Sequence, residues 1–258
     1  MRHPPARCDG RGDLTPAPAP HWLLIGNSRW HWGWREGGFQ GSSEPAEPGA
    51  ERLLQLEPDQ LVAWAAVGAV PQQLVGVLPE LRRLTTAQVP LADAPTWLGV
   101  DRALAGWGAW RCSNGAPVLV ADAGTAMSLT RVDGQGRFAG GRLLAGAGLQ
   151  LRALGQGTTT LPALAAEGLP EAMVAGDRWP AATEQAMAVG VVAGLAAVLA
   201  AAAHELSDPN GPACQLWLTG GDGLLLAASL QTAGSQPWRL APLLVLEALA
   251  ELRPGPDP

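Results

Sequence analysis

Apolar positions recur along the chain in two rhythms. Leu23 to Ile25 form an apolar run, Gly26-Asn27 makes a turn, and Trp30, Trp32 and Trp34 then alternate with His31 and Gly33. Alternation at period two is the mark of a strand, so Trp22 to Trp34 is predicted as a hairpin with its tryptophans packed in the sheet. Gly37 to Gly49, rich in glycine, serine and proline, reads as a loop. Glu51 to Gln60 fits a short amphipathic helix, Leu61 to Val70 a buried strand, Gln72 to Leu84 a helix, Gln88 to Leu91 an extended stretch and Leu98 to Trp110 another helix. From Pro117 the scheme repeats, with strands near 118–122, 126–132 and 137–144, a helix around Leu149 to Leu154 and a long one from Glu184 to Glu205. A strand at Leu216 to Leu218, a further helix and a closing segment from Leu240 to Leu252 complete it. The pattern predicts an α/β protein of two similar halves, 21–116 and 117–252, between a disordered extension at 1–20 and a short tail at 253–258.

Composition narrows the chemistry by what it lacks. The 17 basic residues are all arginine, which excludes a P-loop lysine, a kinase strand lysine and a pyridoxal Schiff base. Tyrosine is absent, so no phenol takes part. A phosphate-handling protein built this way must use backbone amides, hydroxyls, arginine and metal. A net charge of -6 argues against a nucleic-acid partner. Cys8, Cys112 and Cys214 are far apart, with no zinc or disulfide spacing, which suits a reducing cytoplasm. Met1 to Pro20 has no apolar signal core, and Arg11-Gly12-Asp13 within it is read as a chance match to a short adhesion motif. Ala186 to Ala203 is uncharged over the length of a short spanning helix, but its alanine, valine and glycine favour a core or subunit-interface helix over a membrane.

Four turns could carry chemistry: Gly26-Asn27-Ser28-Arg29, Gly99-Val100-Asp101-Arg102, Asp122-Ala123-Gly124-Thr125-Ala126 with Gly140-Gly141 behind it, and Thr219-Gly220-Gly221-Asp222-Gly223. Small residues let a phosphate approach backbone N–H groups, a hydroxyl can hold its oxygens, and Asp122 can hold a cation. In the second turn the carboxylate could act as a base and the guanidinium could hold an anion. Each alone is an ordinary turn; two phosphate turns on hairpins suggest a duplicated nucleotide-binding fold.

In their order, IGNSR (25–29), AAVGAVP (65–71), GVDR (99–102), DAGTA (122–126), GRFAGGRLLAGAGLQLRAL (136–154), TTTLP (158–162), TEQAMAVG (183–190), TGGDG (219–223) and PLLVLEAL (242–249) make the chain resemble the type III pantothenate kinases, of the acetate and sugar kinase and actin superfamily. The resemblance spans Trp22 to Leu252 and implies a duplicated actin-like (ribonuclease H-like) ATPase fold with two mixed sheets. It implies ATP-dependent phosphorylation of pantothenate, the first step toward coenzyme A, in a cytoplasmic homodimer. Asp101 would be the general base, and Gly99, Val100, Asp101, Arg102 and Thr183 would contact pantothenate. Leu24, Ile25, Gly26, Asn27, Ser28, Arg29, Trp30, His31 and Thr125 would hold ATP with its Mg2+, and Asp122 a monovalent cation, K+ or NH4+. Two positions depart from the family. Leu24 stands where an aspartate usually opens the first phosphate motif, and the tyrosine usual upstream of GVDR is missing, with Trp97 a possible cover in its place. The first departure leaves open a catalytically impaired nucleotide-binding relative, or another small-molecule kinase of the superfamily.

Overall fold

The computed structural model describes residues 19–57, 59–164, 177–207, 212–232 and 236–255. All but the last two residues of the extension expected at 1–20 lie outside that set. The first sheet contains β1 (His21–Ile25), β2 (Arg29–Arg35), β3 (Phe39–Pro45) and β4 (Leu61–Ala66), with α1 (Ala46–Gln55) between the last two. Its order is β3-β2-β1-β4, with β1 antiparallel to β2 and parallel to β4. After α2 (Val100–Cys112) comes a second sheet of β5 (Val118–Ala123), β6 (Ala126–Val132), β7 (Phe138–Ala145), β8 (Gln215–Thr219) and β9 (Arg239–Leu240), in the order β7-β6-β5-β8-β9. β5 is antiparallel to β6 and parallel to β8, so the second sheet repeats the first strand for strand. Even the fifth position has a counterpart: Leu84 N–H donates to Trp64 O at one sheet edge, as Ala241 N–H donates to Leu218 O at the other. The remaining helices are α3 (Ala147–Gly157), α4 (Thr183–Glu205), α5 (Gly223–Thr232) and α6 (Leu244–Leu252).

The strand sequences dictate the layering. β1 and β5 sit at the middle of their sheets and are covered on both faces, which is why they read as near-continuous apolar runs. Leu23, Ile25, Trp30 and Trp64 form one outer core with Leu53 of α1. Leu119, Ala121, Met127 and Leu129 form the other with α3, α4 and α5. Between the sheets lies a shared layer of Trp22, Leu24, Val118, Val120 and Trp217 around α2 and α6. That layer exchanges helices between the halves. α2 follows the first sheet yet lays Gly106 over Thr130 and Val132 of the second. α6 closes the chain yet lays Leu246 against Gly33 of the first sheet. The two helices touch where Gly108 leaves room for Ala248. The Trp22 indole donates to Arg253 O at 2.8 Å, so the segment expected to be a tail begins packed on β1.

Three stretches differ from the sequence expectations. The loop expected over Gly37 to Gly49 is instead β3 and the start of α1. β3 is an edge strand of Gln, Gly, Ser and Glu, mostly half-exposed, so it has no apolar alternation to show. α1 begins at Ala46 and ends at Gln55, not at Gln60, and Pro48 is tolerated in its first turn because those N–H groups have no helical acceptor. The helix expected over Gln72 to Leu84 is two single 3-10 turns, Gln72–Leu74 and Glu80–Arg82. Gly76, at φ +92°, and Pro79 interrupt any longer helix there. α4 is long and apolar enough to cross a membrane, yet Met187, Val191, Leu195 and Leu199 bury one face of it against the second sheet's outer core.

Candidate active site

Both central strands end in a tight turn, and the two turns meet. At the β1–β2 turn Gly26 N–H donates to Arg29 O, and at the β5–β6 turn Gly124 N–H donates to Ala126 O. Across the gap between the halves, Ser28 Oγ and Thr125 Oγ1 are hydrogen-bonded at 2.6 Å. Behind each turn stands a glycine from the neighbouring parallel strand. A side chain on Gly68 would overlap Gly26 O, and one on Gly220, at φ +87°, would overlap Ala123 O and the Asp122 carboxylate. Gly146, which opens α3, has no more room: a Cβ there would overlap Gly124 O. Asp222 ties these pieces together. Its N–H donates to Ala123 O at 2.9 Å, and its carboxylate accepts the N–H of Ala147 at the start of α3. Burial raises the Asp222 pKa, and the Ala147 bond offsets part of that rise.

Two carboxylates converge below the turns. Gly99 caps α2, which places Asp101 in its first turn, where Oδ1 accepts the N–H of Arg102 at 2.8 Å. Burial pushes the Asp101 carboxyl up, and Arg102 restrains the shift. Asp122 leaves β5 on the face of Val118 and Val120, toward α2. Burial first, and the neighbouring Asp101 second, push its carboxyl up to about 7. No hydrogen-bond donor among the described residues is recorded at that carboxylate. A partly buried carboxylate without donors, beside a like charge, suits a cation: an oxygen ligand is already in place, and a positive charge would favour its ionised form.

Arg102 supplies the opposite chemistry. The residue is 8% exposed, and Nε–H donates to the neutral Thr130 Oγ1 at 3.2 Å. Its guanidinium lies 6.0 Å from the Phe138 ring centroid, and Gly141 leaves the space that its Nη2 fills. No carboxylate among the described residues forms an ion pair with it. Burial lowers its pKa, and Asp101 offsets part of that. A buried guanidinium held by neutral partners is a receptor for an anion, because pairing removes most of the penalty of burying its charge. Gly99 and Val100 also border a cavity of about 320 Å3, walled by Ala66, Val67, Leu84, Thr86 and Leu98.

The expected site residues are not all equally placed. Leu24 and Asp122 hold matching positions in the two halves, each two residues before its turn glycine, but Leu24 is buried in the shared apolar layer. Ile25 and Trp30 turn the other way, into the outer core, so only their backbone can serve the turn. The Arg29 guanidinium is occupied by Ser43, through Nε to Oγ at 2.9 Å and Nη2 to the carbonyl at 2.6 Å. The His31 ring lies beside Gly26, and burial, then Arg29, lower its pKa. Thr183 is exposed at the first turn of α4, and none of the described hydrogen bonds joins it to the others. Sequence reasoning gave no role to Gly68 or Gly146, nor to Thr130 and Phe138, the partners of Arg102. Their parts depend on cross-strand and inter-element approach. A glycine just beyond a strand end was the signal available for the first two.

Comparison with known proteins agrees with this geometry. The sequence profile of the type III pantothenate kinase family matches residues 77–205. A type III pantothenate kinase of Synechococcus elongatus is 40% identical over 222 residues, which cover 81% of this chain and 86% of the relative. One of Thermosynechococcus vestitus is 37% identical over 226 residues, 85% of this chain and 84% of the relative. Among solved structures, a Campylobacter jejuni chain described as a Baf family transcriptional activator aligns with a TM-score of 0.58 at 18% identity, covering 90% of this chain and 96% of the other. Component A of the (R)-2-hydroxyglutaryl-CoA dehydratase of Acidaminococcus fermentans aligns with a TM-score of 0.53 at 11% identity, covering 91% and 96%. Together with the repeated strand order, these alignments give the duplicated actin-like, ribonuclease H-like fold.

Proposed function

The chain belongs to the type III pantothenate kinase family, and from that premise we propose that it transfers the terminal phosphoryl group of ATP to the primary hydroxyl of pantothenate. The observation that carries this reading is the adjacency, at one helix start, of a carboxylate with a raised pKa and a buried guanidinium that forms no ion pair with a carboxylate among the described residues. Pantothenate has the complementary ends, a hydroxyl for Asp101 and a carboxylate for Arg102. Asp101 accepts the hydroxyl proton as the new O–P bond forms and the bond from the terminal phosphorus to the ADP oxygen breaks. A carboxyl shifted upward is a stronger base than an ordinary aspartate, which favours this proton transfer at neutral pH.

Phosphoryl transfer needs positioning and charge neutralisation more than covalent chemistry, and a chain without lysine must obtain both from amides, hydroxyls and cations. The turns at Gly26–Ser28 and Gly124–Thr125 would hold the ATP phosphates from two sides, with phosphate oxygens replacing the Ser28–Thr125 bond. Mg2+ arriving with ATP supplies charge neutralisation on the phosphates. Asp122 would hold a monovalent cation, K+ or NH4+. Leu24 leaves the first turn without a matching carboxylate, so the second half carries the cation alone. Pantothenate would also be reached by Thr183. α4 exposes an uncharged face of Ala186, Gly190, Ala193, Ala197 and Ala201, which supports a homodimer joined through this helix. Light scattering should then give twice the 26.6 kDa chain mass, and a monomer mass would remove the dimer from the account. The test of the reaction is product identity. Incubation with ATP, Mg2+ and pantothenate should yield ADP and a singly phosphorylated pantothenate by mass spectrometry; ATP hydrolysis without that product would refute the assignment.

A further inference from the structure

Both halves carry a polar side chain at the same level of their central hairpin, but on different strands. In the second sheet Asp122 of β5 stands opposite Ser128 of β6. In the first, Leu24 of β1 stands opposite His31 of β2. Leu24 and Asp122 each precede their turn glycine by two residues, so the two pairs occupy equivalent places. Where the first hairpin lacks a carboxylate on its central strand, it has an imidazole on the returning one.

Strand pairing fixes where that ring points. Side chains directly opposite one another on neighbouring strands project from the same face of a sheet. Leu24 faces the shared layer between the sheets, so His31 faces the same way. From there the ring reaches the turn: its Nε2 lies 3.4 Å, and its Cδ2 3.6 Å, from where a Cβ on Gly26 would stand. His31 is half-buried, and no hydrogen bond among the described residues occupies either ring nitrogen. The neighbouring Arg29 is committed to Ser43 on β3. The imidazole is thus an unengaged polar group set against a turn of backbone amides. Neutral or protonated, it has at least one N–H to donate.

From this we propose that the His31 imidazole is the side chain with which the first turn grips ATP, its ring N–H donating to an oxygen of the terminal phosphates. The inference rests on the functional reading above, since it takes the Gly26–Ser28 turn as a phosphate turn. It gives the side chain a role of its own, apart from the backbone of the segment to which it belongs. The chemistry is complementary to that of Asp122: one hairpin offers a carboxylate to a cation, and the other offers a donor to the phosphate itself. A leucine at position 24 is compatible with this division, because a donor on the opposite strand needs no carboxylate beside it.

Calorimetric titration of His31→Leu and His31→Gln with ATP and with AMP, both in Mg2+, tests it. Leucine fills the space of the ring without an N–H, and glutamine returns a donor at a similar reach. The leucine variant should bind ATP about tenfold more weakly, the scale of one hydrogen bond to a charged acceptor. Its affinity for AMP, which lacks the terminal phosphates, should stay at the wild-type value, as should its KM for pantothenate. The glutamine variant should recover most of the lost ATP affinity. A merely structural histidine would behave otherwise, with Tm lowered in His31→Leu and ATP affinity unchanged, and that result overturns the proposal. An equal loss for ATP and AMP also overturns it, because the ring would then act away from the terminal phosphates. If leucine prevents folding, the glutamine variant decides: affinity for ATP near the wild-type value supports the donor, and a tenfold loss overturns it. ATP binding weakened as expected in His31→Leu, with no pantothenate-dependent turnover in the wild-type protein, would instead remove the kinase reading and leave this contact standing.

Discussion

Replacing Asp122 with asparagine removes the charge that the fold holds least comfortably. The carboxyl titrates at 3.8 in an ordinary setting and at about 7 here, because burial and the nearby Asp101 both oppose its ionisation. At 1.36 kcal/mol per pH unit of displacement, ionising it inside the fold costs about 4 kcal/mol. Asp122 keeps some contact with solvent, so this figure is a ceiling. The sign follows from proton binding. Below pH 4 the group is protonated in both folded and unfolded chains and contributes no penalty. As pH rises from 4 toward 7 the unfolded chain has released its proton and the folded one has not, so the folded state is progressively weakened. Above 7 the loss is complete and constant. Asp122→Asn lacks this term. In the absence of monovalent cation, wild type and variant should match in stability near pH 4, and the variant should be the more stable by up to about 4 kcal/mol at pH 8. For a protein of this size that is a gain in Tm of up to about 10 °C. Adding K+ at pH 8 should narrow the gap, since a bound cation favours the ionised carboxylate and asparagine offers no charge to hold it. Thermal and urea denaturation at half-unit pH steps measure both effects. Parallel pH curves for the two proteins would refute the strained carboxylate, and an equal K+ effect on both would refute the cation site.

Two further substitutions test the reacting geometry. Asp101→Asn should lower kcat at least about 100-fold, the usual share of a general base, while ATP affinity measured by calorimetry stays within about twofold; retained turnover would remove Asp101 from the proton transfer. Gly146→Ala should raise KM for ATP and cost about 1–3 kcal/mol of stability, because its methyl would overlap the Gly124 carbonyl in the second phosphate turn. Gly157→Ala, at the open end of the same helix, is the control and should be neutral in both measurements; equal effects from the two would show that the close approach at Gly146 is unimportant.

The parts of this molecule legible in the sequence are those in which one chain segment carries its own signal. Trp22 to Trp34 showed a hairpin because tryptophans alternate along its second strand, and Val118 to Val132 showed its partner because two apolar runs flank a turn of small residues. Asp101 and Asp122 stood out as candidates because each sits in a short glycine-containing motif at an element boundary. β3 was not legible: an edge strand covered on one side can be built from serine, glutamine and glutamate, and its pairing with β2 is recorded nowhere in its own pattern. The exchange of α2 and α6 between the sheets was equally invisible, because apolar periodicity says that a helix is buried but not against what. At the site, the buried guanidinium of Arg102 depends on Thr130, Phe138 and Gly141, which arrive from the two strands of another hairpin. Sequence marked the arginine as an anion contact; only the packing shows that no carboxylate among the described residues forms an ion pair with it.

The most direct test of the central claim is ADP release by the purified protein with ATP and Mg2+, with and without pantothenate, in K+ and in Na+. The account predicts release that depends on pantothenate and is faster in K+. ATP binding without pantothenate-dependent release in either salt would contradict it, and would mean that a chain with leucine at position 24 keeps the fold and the nucleotide but not the reaction.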